Sequence, residues 1–233
     1  MSGNLYLIPN LIGDGNPGDF LPGNVLKIIK SLNYFIVEDI RTARRFLLKA
    51  GIENPIDTLT FFTLNEHTSS KDISEFLIPA KNFDVGIVSD AGVPSVADPG
   101  ADIVRLAHTM GIRVIPLVGP SSILLALMAS GLNGQNFAFN GYLPVKKPER
   151  VQRIRFYEKR AVSENQTQIF IEAPYRNMQL LEDILGTCSP EIMLGIAADI
   201  SLETEFIHCK PILKWKGKIP ELHKRPAIFM IGK

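Results

Sequence analysis

Three stretches of this 233-residue chain set acids, hydroxyls and glycines at spacings that could hold a ligand. In Ser89-Asp90-Ala91-Gly92-Val93-Pro94 an acid stands beside Gly and Pro, followed by Ser95-Val96-Ala97-Asp98-Pro99-Gly100. Such a segment turns sharply and stiffly, exposes backbone amides and offers a carboxylate to a cationic amino group. A tight turn in which Asp90 caps its own backbone would use the same residues. Val118-Gly119-Pro120-Ser121-Ser122 places small hydroxyls and free amides where a helix begins, which favours a carboxylate or another anion, with plain helix capping as the alternative. The third stretch, Pro9 to Asp19, is long and glycine-rich. It has neither a phosphate loop ending in Gly-Lys-Ser/Thr nor a dinucleotide fingerprint leading into a helix, which argues against a nicotinamide oxidoreductase.

The elements around these stretches read as α/β. Short β-rich apolar runs alternate with segments of helical period through residue 131: strands at Leu5–Ile8, Tyr34–Val37, Leu59–Phe62, Val85–Val88 and Ile112–Leu117, with helices between them. That alternation predicts a mostly parallel sheet, and each candidate stretch then falls just after a strand, where open α/β sheets bind ligands. A helix over Ser121–Ser130 ends at Gly131, and the turn-rich Asn133-Gly134-Gln135-Asn136 reads as a connection. The expected domains are 1–135 and 136–233, the second a mixed unit. It holds a basic helix (Pro148–Arg160), strands at Gln168–Ile171, Ile192–Ala197, Glu205–Cys209 and Ala227–Ile231, and a helix at Arg176–Leu185.

Composition narrows the class. Hydrophobic residues are 45% and charged residues 21%, which is ordinary for a globular chain. Apolar runs such as Ile123–Ala129 are far shorter than the roughly 20 residues of a membrane span. No signal peptide is evident, so the expectation is a cytoplasmic protein. Cys188 and Cys209 have no paired metal spacing and read as reduced thiols, and no metal site is expected. The net charge of +1 conceals an asymmetry: residues 1–141 carry 10 Lys/Arg against 13 Asp/Glu, and 142–233 carry 15 against 11. Lys146, Lys147, Arg150, Arg153, Arg155, Lys159 and Arg160 form a basic run that could meet phosphates or simply be a solvated helix face. No aromatic residues interleave it in a way that suggests base stacking. His67, beside Glu66, reads as a surface or capping residue rather than a base.

Taken together, Glu38-Asp39-Ile40-Arg41, Ser89 to Pro94 with Asp98-Pro99-Gly100, Pro116 to Ser121, Ser130-Gly131-Leu132, Gly141-Tyr142-Leu143-Pro144 and Phe170 to Arg176 span nearly the whole chain. In order and spacing they resemble the tetrapyrrole methylase family, and within it the enzymes that methylate a cytidine 2′-hydroxyl of small-subunit ribosomal RNA. The resemblance implies two α/β domains with a cleft between them, an S-adenosyl-L-methionine site and usually a homodimer, with ribosomal RNA or the small ribosomal subunit as partner. It implies that Asp90, Gly92 and Val93 line the methionine end of the cofactor, with Ser121 and Ser122 beside it, Leu11 from the first loop, and Ile171, Ala197 and Pro226 from the second domain. For the chemistry it points to Asp39, Arg41 and Glu172. The acids, with Glu38, serve as bases or orienting groups, and Arg41 and Arg176 as phosphate ligands. An ion-pair network at the sheet edge would also account for Glu38, Asp39 and Arg41.

The departures concern the acceptor. Gly13 to Asp19 differs in length and context from the ribosomal enzymes' Gly-Asn-Leu-Gly-Asp, Ala198-Asp199-Ile200-Ser201 replaces Arg-Glu-Leu-Thr, and Tyr175 stands where a histidine is usual. The sequence ends at Lys233, short of the longer enzymes' C-terminal segment. Beside the ribosomal reading stand methylation of a small molecule such as a tetrapyrrole, and a non-catalytic protein that binds the cofactor as a regulatory ligand.

Overall fold

The computed structural model describes residues 3–65, 68–215 and 217–233; Glu66 and His67 lie outside them. The apolar runs β1 (Asn4–Ile8), β2 (Tyr34–Val37), β3 (Thr60–Thr63), β4 (Val85–Val88) and β5 (Arg113–Pro116) form a sheet in the order β3-β2-β4-β1-β5. Every pairing in it is parallel, as helical crossovers between successive strands require. β1 and β4 are neighbours from Leu5↔Val85 to Ile8↔Val88. The chain leaves β1 for β2 and β3 on one side, and leaves β4 for β5 on the other. The carboxyl ends of β1 and β4 therefore mark the switch point at which open α/β sheets bind ligands. β4 is buried along its length, which is why it reads as an unbroken apolar run. Its Gly86 is dictated by packing, since a Cβ there would stand 2.5 Å from Ile8 Cδ1.

The helices of this unit are α1 (Pro17–Phe20), α2 (Gly23–Ser31), α3 (Ile40–Lys49), α4 (Ser70–Phe76) and α5 (Gly100–Thr109). Asp39 starts α3 by accepting the Thr42 amide at 2.7 Å, and Gly51 follows its end at φ +78. The stripes Val25/Ile29 of α2 and Ala43/Phe46/Leu47 of α3 pack with Ile8 and Phe35 on one sheet face. Ile103 and Ala107 of α5 pack with Leu5, Ile36 and Ile87 on the other. Complete burial of one such side chain, as at Phe35, stabilises by about 1.5–3 kcal/mol.

The second sheet is mixed. β6 (Phe137–Tyr142), β7 (Thr167–Ile171), β8 (Met193–Ala198), β9 (Phe206–Pro211) and β10 (Ala227–Gly232) lie in the order β6-β7-β10-β8-β9, with β6 and β7 parallel and the remaining pairs antiparallel. The carboxyl ends of β6, β7 and β8 thus share one edge. α7 (Lys147–Ser163) and α8 (Asn177–Thr187) cover one face through Ile154, Leu180 and Ile184 against Phe170, Ile196 and Phe229. α6 (Ser122–Ser130) packs against β8, β9 and β10.

By packing, the chain divides into two compact units, Met1–Ser121 and Ser122–Lys233, where the sequence suggests 1–135 and 136–233. The difference is α6, which the alternation of elements attaches to the first sheet but whose packing ties it to the second. β6 was not expected, because as an edge strand it is only half-buried, and Gly141 at φ +64 sits where its register against β7 shifts. α1 arises inside the glycine-rich first loop, where Asn16 accepts the Gly18 amide at 3.1 Å. In the basic run, Arg150 is neither a phosphate ligand nor solvated. It is buried, donates to Asp183 Oδ2 from Nε at 2.8 Å and to the Pro144 and Val145 carbonyls from Nη1, and so clamps the start of α7 to α8. Cys188 and Cys209 are free, and burial pushes the Cys188 thiol up to about 12.

Candidate active site

In the first unit the loops after β1, β4 and β5 are tied to one another by backbone. The Asn10 amide donates to Gly92 O at 2.8 Å. Its buried side chain donates from Nδ2 to Ser89 O (3.0 Å) and Asp90 O (3.1 Å), while Oδ1 accepts the Leu11 amide at 2.7 Å. Asn10 thus bridges the switch point, and sequence reasoning missed it. The available signal was a lone amide side chain just after a strand, which is as common in ordinary turns. Gly92 is buried at φ +70, where its absent Cβ would meet Ile12 Cγ2 at 3.4 Å. Gly119 lies against Pro9 so closely that a Cβ would fall 2.2 Å from Pro9 Cγ. These contacts bring Leu11, Asp90, Gly92 and Val93 together and carry the β5 loop alongside. Ser121 closes the first unit and Ser122 opens α6.

The edge is acidic. Glu38, just past β2, accepts from Ser89 Oγ at 3.0 Å and from the Asp90 amide at 3.1 Å. Asp98 Oδ1 accepts the amides of Ser95 (2.7 Å) and Gly100 (2.8 Å), holding a loop in which Ser95 and Ala97 adopt φ of +68 and +64. Inside that loop Ser95 Oγ is buried with no hydrogen-bond partner among the described residues. A concavity of ≈ 560 Å³ lined by Glu38, Leu64, Asn65, Ala97, Asp98 and Pro99 opens at the ends of β2, β3 and β4. Partial loss of hydration, then the charges of Glu38 and Asp39, hold the Asp90 carboxyl above its ordinary value. The α3 amide of Thr42 does the reverse for Asp39, holding its carboxyl below the usual range. Asp39 is therefore engaged as a helix cap, with Arg41 exposed in the first turn of α3.

The second unit has a different edge. Ile171 and Ala197 both pair with Ile228, so the three form one row on the sheet face opposite α7 and α8, and Pro226 shares their parity just before β10. Glu172 follows β7, fully buried. Its Oε1 accepts the Ala173 amide at 2.7 Å and both Nε (2.9 Å) and Nη2 (2.5 Å) of Arg176. Oε2 is buried without a partner among the described residues. The Arg176 guanidinium lies 5.5 Å from the Tyr175 ring centroid. Past β8, Asp199 at φ +50 accepts from Arg225 Nε (2.7 Å) and Thr204 Oγ1 (2.9 Å). The segment that departs from the ribosomal pattern is thus a closed structural turn.

Among the described residues no group of three or more His, Cys, Asp or Glu could hold a metal ion, and no helix is long and apolar enough to cross a membrane. No family model matches the chain. Several relatives do. The chain is 32% identical over 212 residues to the ribosomal RNA small subunit methyltransferase I of Pseudomonas aeruginosa, covering 91% of this chain and 71% of that one. It is 31% identical to the protein of that name from Escherichia coli O157:H7, covering 98% and 77%, and 37% identical to that from Xylella fastidiosa, covering 84% and 67%. Among solved structures, a conserved hypothetical protein from Aeropyrum pernix K1 superposes with a TM-score of 0.70 at 14% identity, over 100% of this chain and 86% of that one. The uroporphyrin III C-methyltransferase of Thermus thermophilus superposes with a TM-score of 0.58 at 19% identity, over 99% and 98%. A parallel sheet with its switch point at Asn10 and Asp90, a second mixed sheet and this set of relatives converge: the chain belongs to the ribosomal RNA small subunit methyltransferase I family of methyltransferases and has the tetrapyrrole methylase fold.

Proposed function

We propose that the protein transfers a methyl group from S-adenosyl-L-methionine to a 2′-hydroxyl of ribosomal RNA in the cytoplasm. The observation that carries this reading is the difference in charge between the strand-end edges of the two units. Glu38, Asp39, Asp90 and Asp98 collect at the strand ends of the first unit, while Lys146, Lys147, Arg176 and Lys224 collect at those of the second. The acidic edge suits a donor that carries an ammonium and a sulfonium. The exposed cations of the second edge, which stand among acids such as Glu172 and Asp199 that are bound to Arg176 and Arg225, suit a polyanionic acceptor. The donor fits the first unit by its own chemistry: Asp90 offers a carboxylate for the amino group, the buried Gly92 leaves the loop bare of side chain, and Ser95 Oγ stands without a partner.

When bound, the donor would supply an electrophilic methyl, and the protein's task is to align it with the acceptor oxygen. Leu11, Asp90, Gly92, Val93, Ser121 and Ser122 are proposed to hold the donor, with Ile171, Ala197 and Pro226 carried into the set by family resemblance. Asp39 and Arg41 are proposed to orient the acceptor's hydroxyl and phosphate. Glu172 is proposed to act chiefly by fixing Arg176, because its one unpartnered oxygen is buried. The resemblance also implies a homodimer. The proposed surface for it is α6, which is apolar on all sides yet leaves Leu124 and Met128 exposed.

The decisive experiment incubates the protein and tritiated S-adenosyl-L-methionine with small-subunit ribosomal RNA from a strain lacking the gene, and with a small-molecule extract of that strain. Label on RNA, mapped by mass to a 2′-O-methylated nucleotide, is the expected result. Label confined to the small-molecule fraction would overturn the acceptor, and calorimetry showing no donor binding would overturn the donor. Light scattering at the monomer mass would remove the dimer.

A further inference from the structure

We propose that Tyr142 and Tyr175 form a stacking platform for single-stranded RNA at the strand-end edge of the second unit, with Lys146, Lys147, Arg176 and Lys224 as its phosphate ligands. The proposal rests on the reading of RNA as acceptor and says which surface would grip it. Tyr142 ends β6 and stands in register with Ile171 at the end of the parallel strand β7; Tyr175 follows β7 by one short turn. Tyr142 thus stands on one strand end and Tyr175 in the turn just beyond the neighbouring strand, the two strands being about 4.8 Å apart. Both are large aromatics left open to solvent, 60% and 63% exposed, although buried partners lie on either side of them in sequence: Leu143 at 4%, Glu172 at 5% and Asn177 at 0%.

One cation lies on a ring, and three more stand near in sequence or through a backbone bond. Arg176 lies against the Tyr175 ring at 5.5 Å and is held there by the buried Glu172, so ring and guanidinium are ordered together before any ligand arrives. The Lys224 amide donates to Pro174 O at 3.0 Å, which anchors the backbone of an exposed lysine beside the same turn. Lys146 and Lys147 follow Tyr142 by four and five residues. Their partners, Glu149 at 3.8 Å and Asp183 at 3.3 Å, leave the lysines 81% and 73% exposed; the Lys146–Glu149 pair is open to solvent and weak enough to yield to a phosphate, and the buried Asp183 is already held by Arg150. Exposed rings with flanking cations are the recognition chemistry of unpaired bases. A duplex hides its base faces and could use only the cations.

The test measures anisotropy of a short fluorescein-labelled single-stranded oligoribonucleotide and of a hairpin duplex of matched length, with the full chain and its Tyr142→Ala, Tyr175→Ala, Tyr142→Phe and Tyr175→Phe variants. Circular dichroism and donor calorimetry confirm that each variant folds and binds S-adenosyl-L-methionine. Each alanine variant should weaken single-strand binding by roughly five- to a hundredfold, the worth of one stacked base, and leave duplex binding unchanged. Each phenylalanine variant should stay close to the parent. Equal losses on single strand and duplex, unchanged single-strand binding, or phenylalanine variants as weak as alanine would overturn the platform. A parent protein that binds no single-stranded RNA would remove it together with the RNA acceptor, whereas RNA methylation undiminished in both alanine variants would remove the platform alone.

Discussion

The two strand-end edges of this protein are built on opposite plans. In the first unit the loops after β1, β4 and β5 are fastened at their backbones: the Asn10 amide to Gly92 O, the Asn10 side chain to Ser89 O and Asp90 O, and Gly119 against the Pro9 ring. The charged side chains that project there are mostly acids, Glu38, Asp39, Asp90 and Asp98, beside the exposed Val96 and Val118. In the second unit backbone ties are present too, Lys224 to Pro174 and Asp199 to Pro226, but the groups open to solvent include Tyr142, Tyr175 and Lys224, with Arg176 steadied by the buried Glu172. A bare, rigid backbone suits a ligand that never varies. An open set of rings and cations suits a flexible polymer read by stacking and charge. The difference predicts that the proposed donor edge is sensitive to loss of backbone ties, and the proposed acceptor edge to loss of single side chains.

The sharpest challenge to that contrast is Arg176→Met. It strands the Glu172 carboxylate, whose side chain is 1% exposed, and should cost about 3 kcal/mol in urea unfolding, at the low end for a broken buried pair because the arginine itself keeps 18% exposure. Adding Glu172→Leu should restore most of that stability without restoring RNA binding, while donor affinity stays level throughout. Were donor affinity to fall with the single variant and return with the double one, the edges would not be independent. Next in size is Asn10→Ala. It unpairs two carbonyls and an amide, which costs about 1–3 kcal/mol, and should weaken the donor roughly tenfold by calorimetry, with RNA affinity unaltered. A normal donor affinity in that variant would show that the β1 and β4 loops need no tie.

The sequence displays these plans unequally. The parallel sheet was legible because strands buried on both faces, such as Val85–Val88, are unbroken apolar runs separated by helical periods. The Asp90–Gly92 turn was legible because an acid, a glycine and a proline after such a strand leave few conformations. Asn10 was not, since its bonds join residues about eighty positions apart and its type is ordinary in turns. The platform was hidden for a related reason. Tyr142 and the turn that carries Tyr175 are brought to one edge only because β6 pairs with β7, and β6 is an edge strand too exposed to show an apolar pattern. Within the basic run Arg153 lies over Phe156, 5.9 Å from its ring centroid, whereas the proposed platform draws its residues from two strand ends. Arg150 shows the converse: in a basic run it looks like its neighbours, and only Asp183 from α8 explains its burial.

The finest discrimination comes from Asp90→Asn, where stability and function should move in opposite directions. Because lost hydration and the charges of Glu38 and Asp39 raise the Asp90 carboxyl above its ordinary value of 3.8, the folded chain holds that proton more tightly than the unfolded chain. Stability then falls as pH rises through the folded value, and at neutral pH the penalty is fully present. Asparagine removes it, so the variant should melt slightly higher than the parent at neutral pH and match it once the pH is below the ordinary carboxyl range. The same change deletes the carboxylate proposed to meet the donor's ammonium, so calorimetry should show weaker S-adenosyl-L-methionine binding in the more stable protein. A variant that melts lower at neutral pH would mean that Asp90 serves its own turn as a cap, and the acidic edge would lose its reason to be called a cation site.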